Sequence, residues 1–223
     1  ADSLAGQTPI AHKSAIKSLT LFRAEGDTAP LVVFDLGPDA AEVDYADGAD
    51  TLVHTANVAD LADGTFTIAR VVHTWVTYRV SATMHTNGLS IPGEFDNFQA
   101  LSDGAVYEGD TYDAGDYTYV FDTGSMQFPL SGSGAPVPEW EGSGGISVRF
   151  EEGEWAYYFP VNLPIDTTYE GEVDITLQVN MHESFRWSDQ AMPGYQDGVF
   201  DTTPSTFEPV MRFGANSFAL LLE

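Results

Sequence analysis

Val71-Val-His-Thr-Trp-Val-Thr-Tyr-Arg-Val-Ser-Ala-Thr-Met84 decides the fold class. One parity holds Val72, Val76, Tyr78, Val80, Ala82 and Met84; the other holds His73, Trp75, Thr77, Arg79, Ser81 and Thr83. A period of two over such a run is a β-strand with one face in a core and the other polar. The pattern predicts Val72, Val76, Tyr78 and Val80 buried, with His73, Trp75 and Arg79 projecting from the opposite face. A one-residue slip would invert the whole set.

Similar runs lie on both sides: Ser18–Phe22, Leu31–Leu36, Tyr117–Phe121, Ile146–Phe150, Trp155–Val161, Val173–Met181 and Ser217–Leu222. Breakers such as Thr86-Asn87-Gly88, Pro92-Gly93 and Asp103-Gly104 separate them. No stretch keeps a helical stripe for three turns, although Ala11–Lys17 and Asp39–Val43 are each read as a short helical turn. The expected fold is all-β, a mostly antiparallel two-sheet β-sandwich with long irregular loops. It is read as one domain over residues 1–223, with a Gly/Ser/Pro-rich surface loop at about 131–145. From Asn180 onward, aromatics, acids and turn residues are dense but aperiodic, as in an ordered segment laid over the sheets.

Composition narrows the function classes. The 223 residues include 8 Lys+Arg and 34 Asp+Glu, a formal net charge of −26. A phosphate-binding surface needs a basic patch, so nucleic acid is excluded as a partner and an anionic membrane surface is disfavoured. No apolar run approaches the length of a transmembrane helix, so no membrane insertion is expected. The start, Ala1-Asp2-Ser3, carries no charged or apolar leader segment, as expected either of a chain that has lost a leader or of a cytosolic one. There are no cysteines, which removes disulfides, thiolate metal sites and Cys nucleophiles. The acidity suits a strongly solvated surface, a high-salt habitat, or calcium.

Nucleophile-elbow, phosphate-loop and zinc-helix motifs are missing, and no serine is marked as a nucleophile. A Ser/His/Asp set drawn from distant segments stays open. The histidines are His12, His54, His73, His85 and His182. His73 and Trp75, two apart on a strand, would project side by side as a metal ligand and its aromatic wall. Neutral imidazole without thiolate suits copper or zinc. At about 3.3 Å per residue, a straight strand puts His85 about 40 Å from His73, so one ion could join them only if the strand bends. His182, beyond the run Val173–Met181, is free to approach either.

A β-sandwich strand carrying this His/Trp pair resembles the MopE/CorA and MbnP groups of copper-handling proteins from methane-oxidising bacteria. Those groups bind copper through histidines and, in known members, a tryptophan oxidised to kynurenine. The likeness covers one strand and the general architecture. It implies a copper ligand at His73 and an oxidised residue at Trp75. The metal set is then His73, His182, Trp75 and His85, in a secreted or periplasmic copper-binding protein.

The acids offer a second ion. Asp110-x-x-Asp113-x-x-Asp116 precedes a strand, where a turn could converge three carboxylates on calcium, although the spacing is not that of an EF-hand. Other function classes stay open: a carbohydrate-binding or adhesive module stacking sugars on Trp140, Trp155 or Trp187, a structural subunit of a cell-surface assembly, and an enzyme.

Overall fold

The structure is a computed structural model and describes residues 4–46, 48, 50–134, 140–141, 145–170 and 174–222. Strands β1 (Ala5–Gln7), β2 (Ala11–Phe22), β3 (Leu31–Asp35) and β4 (Ala41–Asp44) come first. A 3-10 turn at Val58–Asp60 leads to β5 (Gly64–Thr86), a strand of 23 residues that contains the whole alternating run. Next are β6 (Leu89–Ala100), β7 (Ala105–Tyr107), β8 (Asp110–Tyr112), β9 (Tyr117–Asp122) and β10 (Gln127–Gly132). Then come β11 (Trp140–Glu141), β12 (Ser147–Glu151), β13 (Glu154–Ile165), β14 (Ile175–Asn180) and β15 (Phe185–Trp187). Short β16 (Asp201–Thr203), β17 (Thr206–Phe207) and β18 (Val210–Arg212) precede β19 (Ser217–Leu222). The chain is all-β, and its sheets are antiparallel except where β16 runs parallel to β5. Among the described residues no helix is long and apolar enough to cross a membrane.

β5 is the spine. Along one edge it pairs first with β13, from Gly64 to Val72, and then with β6, from Trp75 to Thr86. Along the other edge it pairs with β2 from Ile68 to Arg79, and then with β16 at Thr83 and Met84. Asn87 and Gly88 close the β5–β6 hairpin with φ of 50° and 75°, the left-handed pair that a two-residue turn demands. A second layer of small sheets, β1-β15-β18 and β14-β19, covers the inner face. Val76, Tyr78, Val80, Ala82 and Met84 meet Phe185, Trp187, Phe200 and Phe213 there. Further along the same face, Ile16, Leu19, Leu21, Ala69 and Val71 pack with Phe159, Leu163 and Leu220. The aperiodic C-terminal stretch is therefore the lid of the core.

The structure corrects the expected alternation at one point. Trp75 stands opposite Ala15, but His73 stands opposite Ile16, so Thr74 is an extra residue on β5. Lys17 is the matching extra residue on β2. A bulge exchanges the two faces of a strand. Val71 and His73 therefore share the inner face with Val76 and Tyr78, while Val72 and Trp75 turn outward. Val72, Val76, Tyr78 and Val80 are all buried, as expected. Trp75 is buried too, because the β7–β8 hairpin folds over the outer face and stacks Tyr107 edge-on at 4.9 Å. The bulge falls where β5 changes partners from β13 to β6, and the Thr74 carbonyl accepts both the Leu101 and the Ser102 N–H there, at 2.7 and 3.2 Å.

Other expectations are also corrected. Ala11–Lys17 is part of β2 rather than a helical turn, and β4 occupies most of the second such segment. Both are edge-paired to strands remote in sequence, which overrides weak local propensity. Of the surface loop expected at about 131–145, residues 131–132 belong to β10 and 140–141 to β11; 135–139 and 142–144 lie outside the described residues.

Candidate functional site

The bulge brings two histidines onto one face. On β2, His12, Ser14 and Ile16 alternate inward; on β5, His73 faces them. His12 and His73 are 3% and 5% exposed. His12 Nδ1–H donates to the Thr77 carbonyl at 2.8 Å. In a neutral imidazole this leaves Nε2 as the lone-pair nitrogen. His73 Nδ1 lies 2.8 Å from Ser14 Oγ, which lies 3.0 Å from Tyr45 Oη. Tyr45 stacks on His12 at 5.2 Å, and Tyr157 meets His73 edge-on at 5.3 Å.

Both rings are held neutral. Burial lowers the His12 pKa to about 4, against the opposing pull of the Thr77 bond and the Asp44 charge. Burial lowers the His73 pKa to about 3, and the charge that His12 would carry lowers it further. Burial also pushes Tyr45 up to about 12, so no phenolate forms near neutral pH. The two histidines, Ser14, Tyr45 and Tyr157 line one hollow of about 20 Å³, walled by Gly214 and Ala215 on the β18–β19 loop. That is room for one water or one ion.

A second cluster sits at the far end of β5. His85 Nε2–H donates to Asp201 Oδ1 at 2.7 Å, and Ser90 Oγ lies 3.0 Å from His85 Nδ1. Tyr195 stacks on the ring at 5.0 Å. Asp201 is fully buried; its Oδ2 accepts the Gln196 N–H at 2.8 Å, and its own N–H donates to Glu208 Oε2 at 2.9 Å. Glu208, 1% exposed, also accepts the Gln190 N–H at 2.6 Å. Burial raises its pKa, against those two backbone bonds, and the charges of Asp189 and Asp201 add to the rise.

The residues read from sequence thus fall apart. His73 and Trp75 point to opposite faces, so Trp75 does not wall a site at His73. His182 is exposed in the turn after β14; its N–H donates to Asn180 Oδ1 at 3.0 Å, its carbonyl accepts from Asn216, and its ring does not line the hollow. His85 has both ring nitrogens engaged, far down β5 from His73. Asp110 ends the β7–β8 turn, whereas Asp116 Oδ2 turns back onto the Asp113 N–H at 3.0 Å. Among the described residues no group of three or more His, Asp or Glu is placed to hold a metal ion. Trp155 and Trp187 are buried and offer no face to a sugar. His12 was missed by sequence reading; the signal was the alternation His12-x-Ser14-x-Ile16, hidden by a helical reading of that segment.

No family model, curated protein or solved structure matches this chain. The functional reading therefore rests on the geometry of these clusters.

Proposed function

We propose that the protein binds one metal ion between His12 and His73, and that the ion is copper(I). The observation that supports this reading is the pair of buried, neutral imidazoles lining one ion-sized hollow. The donor set fits copper. Two imidazoles without thiolate or carboxylate suit a low-coordinate monovalent ion, whereas zinc generally takes four ligands. A buried divalent ion would also need anionic ligands to offset its desolvation. Here the tyrosines stay neutral, and Asp44 is the acid whose charge acts on His12.

Each imidazole has an oxygen partner of the kind that fixes a ligand's tautomer. Thr77 does this for His12. For His73 the chain can run from Nδ1–H to Ser14 Oγ and from Ser14 O–H to Tyr45 Oη, which leaves Nε2 free to bind. When bound, copper(I) would supply a site for transfer or storage of the ion; the residues of this chain orient the two nitrogens and exclude water.

Titration under reducing conditions, with a competing copper(I) chelator, tests the reading. The expected result is one copper per chain, lost in His12→Ala and in His73→Ala but retained in His182→Ala. Retention of one copper with unchanged affinity in both His12→Ala and His73→Ala would overturn it. Loss in His182→Ala alone would move the site to the exposed turn.

A further inference from the structure

The metal reading leaves the cluster at the far end of β5 unused. His85 and Ser90 are a directly opposed cross-strand pair beside the Asn87–Gly88 turn. Ser90 is exposed, His85 is partly exposed, and Asp201 is fully buried. Hydrogen bonds join them in series: 3.0 Å from Ser90 Oγ to His85 Nδ1, and 2.7 Å from His85 Nε2 to Asp201 Oδ1. Because the carboxylate accepts the Nε2–H, neutral His85 keeps its lone pair on Nδ1, and Ser90 O–H donates to it. A hydroxyl, a base within reach and a third group that orients the base make an activated nucleophile. The two ring nitrogens are exchanged relative to the usual serine-hydrolase order, but the protons available are the same.

The surroundings support the assignment. Asp201 is held by its pairing with Thr83, by its own N–H donating to the Glu208 carboxylate and by the Gln196 N–H donating to its Oδ2. Tyr195 fixes the imidazole plane. Gly194 lies beside the ring, with a backbone φ of +94° that favours glycine, and a Cβ there would sit 3.4 Å from His85 Nδ1.

We propose that Ser90, His85 and Asp201 form an acyl-transfer relay that acts on small neutral or cationic esters. Ser90 Oγ attacks the ester carbonyl carbon while His85 Nδ1 takes the hydroxyl proton. The C–O bond to the alcohol breaks, and the alcohol leaves with that proton. Water, deprotonated by the same nitrogen, then attacks the acyl-Ser90 carbonyl; the Ser90–acyl bond breaks, the acid departs and Ser90 regains its proton. Esters are favoured over amides because an alkoxide leaves more easily than an amide nitrogen. Neutral or cationic substrates are favoured because a chain with net charge −26 repels anions.

An alkyl fluorophosphonate and p-nitrophenyl acetate test the relay on the intact protein. With the first, the Oγ–P bond forms as P–F breaks. The expected result is one phosphonyl adduct per chain, located on Ser90 by peptide mass, and none in Ser90→Ala. His85→Gln should slow labelling about a hundredfold with an unchanged circular dichroism spectrum. Turnover of p-nitrophenyl acetate should fall to background in Ser90→Ala. An unlabelled wild type, adducts spread over several serines, or labelling unaffected by His85→Gln would each overturn the proposal. Neither assay involves His12, His73 or copper.

Discussion

Two histidines of β5 each meet a serine from a neighbouring strand, and the two pairs differ in what stands behind them. Ser14 Oγ lies 2.8 Å from His73 Nδ1, and Ser90 Oγ lies 3.0 Å from His85 Nδ1. Both rings meet a tyrosine, Tyr157 and Tyr195 respectively. Behind the His73 pair lies a second imidazole; behind His85 lies a buried carboxylate. The first setting opposes protonation, because burial outweighs the Thr77 bond and the Asp44 charge at His12, and a charge on His12 would repel one on His73. The second provides a counter-charge for an imidazolium. One strand thus sets one imidazole beside a second imidazole and another beside a buried carboxylate, and the difference lies in the partner supplied by a distant segment.

The largest effect should come from removing that counter-charge. Asp201→Asn keeps the shape but turns one of two fully buried acceptors, Oδ1 on His85 Nε2–H or Oδ2 on the Gln196 N–H, into an amide donor facing a donor. Breaking a buried charged network typically costs about 3 kcal/mol or more. Urea unfolding should show a loss of that order, and the stretch from Gln190 to Asp201 should lose hydrogen-exchange protection first. A variant as stable as the wild type would mean that Asp201 does not anchor this region.

Acid should separate the two regions by sign. The folded pKa values of His12 and His73, about 4 and about 3, lie below the ordinary 6.5. The unfolded chain therefore binds protons that the folded chain refuses. Their contribution to stability is complete above pH 6.5 and is lost as pH falls toward 3–4. Glu208 acts oppositely: its folded pKa is raised, so its contribution is present at low pH and lost as pH rises through the folded value. Between pH 7.5 and 5, where most carboxylates remain ionised, the wild type should lose stability to denaturant. A His12→Gln, His73→Gln double variant should lose clearly less. Equal losses would show that neither ring is held neutral by the fold.

The sequence carried the spine and its burial but not its bulge. The alternation from Val76 to Met84 needs no partner to be read, because one face is apolar throughout. Thr74 breaks no local rule. Its bulge follows from the exchange of β13 for β6 and from two N–H groups, of Leu101 and Ser102, sharing its carbonyl. That single residue moved His73 inward and parted it from Trp75. His12 was hidden because Ala-His-Lys-Ser-Ala has little strand propensity of its own and takes its conformation from β5 and β4. His85 was visible as a histidine, yet its carboxylate lies 116 residues away, beyond any local pattern.

The smallest effects should come from the two serines, and their ratio is the sharpest form of the comparison. Each truncation to alanine removes one hydroxyl from a histidine Nδ1. Ser14 is buried, so Ser14→Ala takes the hydroxyl partner from buried His73 Nδ1 and from partly buried Tyr45 Oη. Leaving a buried polar atom unpaired costs about 1–3 kcal/mol. Ser90 is exposed at a hairpin, so water replaces its hydroxyl at His85 and the cost should stay within about 0.5 kcal/mol. Paired urea curves should therefore separate Ser14→Ala from Ser90→Ala by at least about 1 kcal/mol, although the two bonds differ by little in length. The chemical readouts should run the other way: Ser90→Ala eliminates fluorophosphonate labelling and keeps copper, while Ser14→Ala weakens copper and leaves labelling intact. If both variants cost the same, burial is not what distinguishes the pairs. If both readouts move in both variants, the two ends of β5 are coupled rather than separate sites.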